Sequence, residues 1–254
     1  MNLPPVGLGT MGIDDPDAIA AALDAGYRHL DTAQIYDNEA VVGEGLARSD
    51  VVRDDVFLAT KVWATNLAPE DVRESTEDSL DRLGVDSVDL LYVHRPIEAY
   101  DPETTLPAFD ELVEDGLTEH VGVSNFTRDE LDEARDALDS PIFAHQIEYH
   151  PFFQTPDLLA DAREHDERVV AYSPLAQGKV FDEPALATIA DSHETSPAAV
   201  AIAWLCAKEG VATIPKAGSR EHQEANLAAA QLELTEAECA QIDELARGEE
   251  LFPE

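Results

Sequence analysis

Lysine is nearly absent from this chain of 254 residues, occurring only as Lys61, Lys179, Lys208 and Lys216. Lysine and arginine together number 16 against 54 aspartates and glutamates, a net charge of −38. A field of that sign repels phosphate backbones and anionic lipid surfaces, which sets nucleic acid and membranes aside as partners. Self-repulsion on that scale destabilises a compact state unless salt screens it, so the composition reads as adaptation to high internal salt. Cysteine is scarcer still. Cys206 lies in an apolar helical run and reads as core packing; Cys239 lies in an amphipathic one, and neither suggests a framework disulfide. No apolar run approaches the length of a membrane span, and no leader of basic, apolar and small residues opens the chain, so the cytoplasm is the expected location. No Gly/Ser linker, low-complexity tract or solenoid-period repeat divides the sequence, and residues 1–254 are expected to form one domain. No spacing of His, Cys, Asp and Glu suggests a metal site. The 44% hydrophobic content conflicts with a disordered acidic chain.

What is present is a regular alternation. Short apolar runs at 4–8, 27–31, 56–61, 88–94, 120–124, 145–149, 168–172 and 211–214 read as strands. Helical patterns at 16–26, 39–48, 69–83, 102 to about 116, 197–208, 221–230 and 235–247 fall between and after them. Asp15-Pro16, Pro69, Pro102 and Ser196-Pro197 stand where helix starts tolerate proline, and the Thr-Glu-Ala-Glu run at 235 suits a capping box. Strands alternating with helices imply a parallel sheet, and eight of them make a closed (β/α)8 TIM barrel the economical α/β fold.

Three consecutive strands then end on polar groups. Asp31 closes the second, Lys61 the third and His94 the fourth, while Tyr36 sits in the loop after Asp31. In such a barrel the carboxyl edge of the sheet is where chemistry is placed. A free tyrosine, with a pKa of about 10, is a poor proton donor near neutrality. A neighbouring ammonium is expected to lower that value, and a carboxylate beside the lysine to keep the ammonium charged. A histidine can orient or polarise a carbonyl oxygen next to the phenol. Together the four read as a proton-donating, oxyanion-stabilising site for carbonyl reduction. His29, His120 and His145, at strand starts, read as structural.

Seven segments resemble the aldo-keto reductases, in that family's order and over nearly the whole chain. Asp31-Thr32-Ala33 with Tyr36, Thr60-Lys61-Val62-Trp63 and Leu91-Tyr92-Val93-His94 are similar to its catalytic segments. Ser124-Asn125-Phe126, Gln146 to Pro151, Tyr172 to Leu175 and Ile214-Pro215-Lys216 are similar to its cofactor segments. The resemblance implies NADPH, with NADH the lesser alternative, reducing a small carbonyl substrate, and a monomer. It implies Asp31, Tyr36, Lys61 and His94 as the catalytic set. Ser124, Asn125 and Gln146 would meet the nicotinamide carboxamide, and Tyr172 would stack on its ring. Gly9 and Thr10 would border the cofactor, and Ser173, Pro174, Leu175, Gln177 and Gly178 would form the loop over its pyrophosphate. Lys216 would meet the adenosine 2′-phosphate and Asn226 the adenine end. This last segment departs from the family pattern at Ala217, His222 and Ala225, where serine, arginine and glutamate are usual, and Arg220 is a candidate for the missing charge. Met11, Trp63 and Phe153 are candidate substrate walls, Met11 standing where many relatives have tryptophan. The amino-terminal hairpin of many relatives has no counterpart here. The long substrate-contacting tail is reduced to 249–254, which implies a more open pocket.

Three other readings compete. Gly7-Leu8-Gly9-Thr10-Met11-Gly12 matches a dinucleotide fingerprint with Asp31 about 20 residues on. Asp14-Asp15-Pro16, however, postpones the helix until after the glycines, so they are expected instead to let the first loop pass close to a ligand. A nicotinamide-binding sensor with little turnover is the alternative to an enzyme, and a metal-dependent barrel hydrolase lacks a ligand set.

Overall fold

A computed structural model describes residues 3–253. Eight parallel strands run β1 Leu8–Gly9, β2 His29–Asp31, β3 Phe57–Val62, β4 Val88–Val93, β5 Thr118–Ser124, β6 Ile142–Glu148, β7 Arg168–Tyr172 and β8 Val211–Thr213. They pair in chain order from β1 to β8. The ring closes where Val6 bridges Thr213, with Gly7 N donating to Thr213 O and Thr213 N to Pro5 O. This is the expected (β/α)8 barrel.

Punctuation in the sequence sets the helices. α1 Pro16–Ala25 begins after Asp15, whose carboxylate accepts from Asp17 N, and stops at Gly26 in the left-handed region. α2 Glu39–Arg48 and α3 Pro69–Leu83 fall at their expected bounds, α3 ending on left-handed Gly84. α4 Pro102–Glu114, α5 Arg128–Ala137, α6 Pro156–Glu164 and α7 Pro184–Ser192 follow. α8 Pro197–Cys206 is buried from Ala198 to Leu205, as an all-apolar helix must be. α9 Arg220–Ala229 and α10 Glu236–Asp243 complete the chain of helices. α10 carries the expected capping box, Thr235 with Glu238. It stops short of 247 because the chain turns there, Arg247 N and Glu249 N both donating to Phe152 O. Cys206 and Cys239 are free; Cys206 is half-buried rather than fully in the core, and burial pushes its thiol up to about 11.

Strand register decides what reaches the barrel interior. Side chains alternate faces along a strand. Phe57, Ala59, Leu90, Tyr92, Ala144 and Val170 pack together inside the ring. Continuing the same parity upward brings Asp31, Lys61, His94, Gln146 and Tyr172 to the interior at the carboxyl edge. Asp31 lies level with Ala59, and Lys61 with Tyr92. Downward the parity brings His29, fully buried against the Phe57 ring, where burial lowers its pKa to about 4. The glycines of the first loop are explained here. A Cβ at Gly7 would stand 2.3 Å from His29 Nδ1, and one at Gly9 2.6 Å from Ile214 O. Gly7 therefore makes room for the barrel's own histidine rather than for a ligand, a correction to the sequence reading; Gly9 does border the cleft described below.

Among the described residues no helix is long and apolar enough to cross a membrane, and no cluster of three His, Cys, Asp or Glu could hold a metal ion.

Candidate active site

A cleft of about 800 Å³ opens at the carboxyl edge of the sheet. Asp31, Tyr36 and His94 line it, and Lys61 lies beneath with no solvent exposure. Lys61 Nζ meets Asp31 Oδ1 at 2.5 Å and Thr32 O at 2.7 Å. It stands 5.1 Å from the centre of the Tyr36 ring, close enough for its charge to act on the phenol. The His94 imidazole meets the Tyr36 ring edge-on at 5.9 Å and the Trp63 ring at 5.0 Å. Tyr36 is carried by a single 3-10 turn, Gln34–Tyr36, closed by Asp37 in the left-handed region. Gln34 pins that turn, accepting from Trp63 N at 2.9 Å and donating to Ser75 O at 3.0 Å.

Burial governs the protonation states. Withdrawal from water lowers the Lys61 pKa, but the Asp31 carboxylate and Tyr36 outweigh it, so the ammonium stays charged with its pKa raised. Burial raises the Tyr36 phenol above its ordinary 10, and Lys61 pulls it back only in part. The expected lowering of that pKa is realised only as the ammonium's contribution: desolvation of the phenolate and the Asp31 charge exceed its pull, and the pKa rises. Burial, then Lys61 and Arg95, drive His94 down to about 2, so its ring is neutral across the working range. A neutral imidazole has one N–H to donate.

The cleft continues past these groups. Gly9, Thr10, Met11, Ser124, Asn125, Gln146, Tyr172, Ser173, Pro174, Leu175, Gln177, Gly178 and Lys216 border it, as expected, and so does Trp63. Tyr172 OH donates to Asn125 Oδ1 at 2.8 Å, and Asn125 Nδ2 to His94 O at 3.1 Å, linking β7, β5 and β4 across the floor. Gln146 Nε2 donates to Asp31 Oδ2 at 2.7 Å, so it supports the buried carboxylate. Ser173, Ala176, Gln177 and Gly178 are all in the left-handed region, giving the 173–178 loop its tight curl, and Asn125 shares that conformation at the end of β5. An aromatic floor, an amide pair and a lysine at the rim form a donor set that fits a nicotinamide dinucleotide.

Three expected residues do not border the cleft. Arg220 Nε pairs with Glu224 at 2.8 Å on the exposed side of α9. Asn226 is buried in α9, beside Tyr27. Phe153 belongs to a small turn in which its backbone pairs with His150. Three unexpected residues do border it: Ile35, Arg95 and Phe252. Phe252 corrects the reading of the tail. Leu251 N and Phe252 N donate to the buried Glu148 carboxylate at 2.7 and 3.1 Å, and the Phe252 ring meets Tyr172 edge-on at 5.9 Å. Lys179 from the 173–182 segment pairs with Glu249 of the tail. Short as it is, this tail reaches the cleft; Glu254 lies outside the described residues.

A barrel with a charged lysine, a protonated phenol and a neutral imidazole at one end of a ligand-sized cleft defines an enzyme acting on a small molecule. Residues 5–247 match the Aldo/keto reductase family, and the chain belongs to that family. It is therefore an NAD(P)H-dependent oxidoreductase that reduces carbonyls. It is 38% identical over 240 residues to methylglyoxal reductase DkgB of Escherichia coli O157:H7, covering 92% of this chain and 90% of that one. It is 35% identical over 252 residues to the 9,11-endoperoxide prostaglandin H2 reductase of Trypanosoma cruzi (strain CL Brener), covering 96% and 88%. A crystal structure of a protein assigned as a 2,5-diketo-D-gluconic acid reductase B superposes with a TM-score of 0.96 at 36% identity, covering 99% of this chain and 92% of that one.

The ion pair makes a stability prediction. Asp31 and Lys61 side chains are 1% and 0% exposed, so Lys61→Met leaves a buried carboxylate without its counter-charge. Urea unfolding should show a loss of about 3–5 kcal/mol, most of it recovered in the double variant Asp31→Asn/Lys61→Met. A loss under about 1 kcal/mol, the level of an exposed pair, would contradict this account of the pair.

Proposed function

We propose that the protein is an NADPH-dependent reductase of aldehydes or ketones in which Tyr36 is the proton donor, working as a monomer in the cytoplasm of a high-salt cell. The convergence of Asp31, Lys61, Tyr36 and His94 at one end of the cleft carries this reading. Ser124, Asn125 and Tyr172 would hold the nicotinamide and Lys216 the 2′-phosphate, NADPH being preferred to NADH through that lysine. The bound cofactor supplies the hydride that reaches the carbonyl carbon. The Tyr36 phenol donates its proton to the carbonyl oxygen, and Lys61 stabilises the phenolate left behind. Asp31 keeps Lys61 charged, and Gln146 holds Asp31. The neutral His94 ring orients the carbonyl oxygen beside the phenol. Relatives carry names for both a neutral dicarbonyl and a keto-sugar acid, so the substrate class is carbonyl compounds of modest size.

NADPH oxidation in molar KCl with aldehydes, diketones and keto-sugars, run beside NADH, tests this directly. Tyr36→Phe should lower kcat by about 10²–10⁴-fold, the usual worth of a positioned general acid, while NADPH fluorescence still reports binding. Near-normal turnover in that variant would contradict the assignment. Cofactor binding without turnover in the parent protein would favour a sensor instead.

The net charge of −38 supports the salt proposal. Thermal melting should occur at a higher temperature in molar KCl than in low-salt buffer, because screening relieves the repulsion. Equal melting temperatures would refute it.

A further inference from the structure

Inside the barrel, beside the ion pair, Tyr92 takes no part in the chemistry above. It is fully buried and lies level with Lys61 on the neighbouring strand. Lys61 Nζ is 5.9 Å from the centre of its ring, against 5.1 Å for Tyr36, so two phenol rings lie within reach of the ammonium charge. The sheet makes room for the inner one. Gly122 on β5 and Ala144 on β6 continue the Tyr92 level around the barrel, and a Cβ at Gly122 would stand 2.6 Å from Tyr92 Cδ1. A glycine inside a strand weakens it, so the ring keeps its place at a cost to β5. The hydroxyl is harder to explain as packing. Among the described residues it has no hydrogen-bond partner, and burial holds its pKa well above 10, so it keeps its proton. It lies beside the Gln146 amide and close enough to Asp31 to feel that charge. A buried hydroxyl without a partner costs stability, and phenylalanine would fill the same space without that cost. The titratable groups that act on Lys61 or respond to it are Asp31, Tyr36, His94 and, deeper in the barrel, His29. Tyr92 joins them through its ring.

We propose that Tyr92 is a positioning residue for the proton donor: its ring seats the Lys61 ammonium under Tyr36, and its hydroxyl orients the Gln146 amide that holds Asp31. The face of the ring attracts a desolvated cation through its quadrupole. A hydroxyl against the Gln146 amide restrains its rotation, and Nε2 of that amide has to face Asp31 Oδ2. Tyr92 is not among the residues that line the cleft, so it acts through its neighbours rather than on substrate. This inference rests on the reductase reading above and adds a residue to its proton-donating apparatus.

The test compares Tyr92→Phe, which keeps the ring, with Tyr92→Leu, which removes it. NADPH is the reductant, and the substrate is whichever carbonyl compound of the panel above the parent protein reduces fastest. Tyr92→Phe should lower kcat roughly two- to tenfold, the worth of one hydrogen bond, while its melting temperature holds or rises. Tyr92→Leu should lower kcat about 30-fold or more, the worth of a desolvated cation–π contact. It should also move the alkaline limb of the kcat profile to lower pH, because the ring favours the charged lysine. The KM for NADPH should stay near the parent value in both. Where Tyr92→Leu does not fold, Tyr92→Met fills the space without a ring and carries the same prediction. An unchanged kcat and an unmoved limb in the ringless variant, with only the melting temperature lowered, would make Tyr92 core packing and overturn the proposal. So would a Tyr92→Phe protein with the parent's kcat, or a KM for NADPH that rises with kcat intact. If the parent protein reduces no compound of the panel, the reductase reading falls and takes this inference with it; an active parent with unaltered Tyr92 variants sinks this inference alone.

Discussion

The contact between Lys61 and Asp31 is the constraint on which the site depends. An ammonium without solvent exposure is costly to hold in a barrel interior, and it persists here because a carboxylate, a backbone carbonyl and the Tyr36 side chain surround it. The pair then organises its neighbours. Gln146 is bound to Asp31 from across the barrel, Tyr36 lies over Lys61, and His94 borders Tyr36. Elements as distant in sequence as β2 and β6 are joined through one buried carboxylate.

Burial also assigns the proton inventory. The phenol is kept protonated because its anion would be poorly solvated, and the imidazole is kept neutral because its cation would be poorly solvated and would stand near two others. Both effects suit a carbonyl reduction: the phenol has a proton to give, the imidazole has an N–H to offer, and the lysine supplies the charge that stabilises what remains. In the proposed mechanism the phenol would therefore be activated at the moment of transfer rather than beforehand. That distinction separates stabilising the phenolate as it forms from lowering the pKa of the resting group.

Much of this was legible in the sequence, for identifiable reasons. β3 and β4 are buried on both faces, so they read as unbroken apolar runs whose last residues could be located. α1 and α3 are bracketed by proline and left-handed glycine, which mark their ends chemically. Asp31, Lys61 and His94 stood out because they are polar groups at the ends of such runs. α5, α6 and α7 were not delimited, although the Thr127 and Glu130 capping box of α5 was present to be read. Lys61 lowers the Tyr36 pKa as the sequence implies, but the larger cost of desolvation depends on packing that no spacing encodes. Phe252 was missed because the tail is docked through its backbone N–H groups on Glu148, which leaves no side-chain pattern. Asn226 is assigned by resemblance and Arg220 as a stand-in for the missing arginine; the pairing of Arg220 with Glu224 and the burial of Asn226 keep both away from the cleft in this structure.

The central claim is that burial keeps Tyr36 protonated and His94 neutral. The pH dependence of kcat for NADPH-driven aldehyde reduction tests it most directly, at a fixed molar KCl concentration. With His94 titrating near 2 and Tyr36 above 10, the profile should be level across the histidine range of about pH 5 to 8 and fall only on the alkaline side, as the phenol loses its proton. A limb inside that range that disappears in His94→Gln, or an alkaline limb well below 10 that disappears in Tyr36→Phe, would contradict the account.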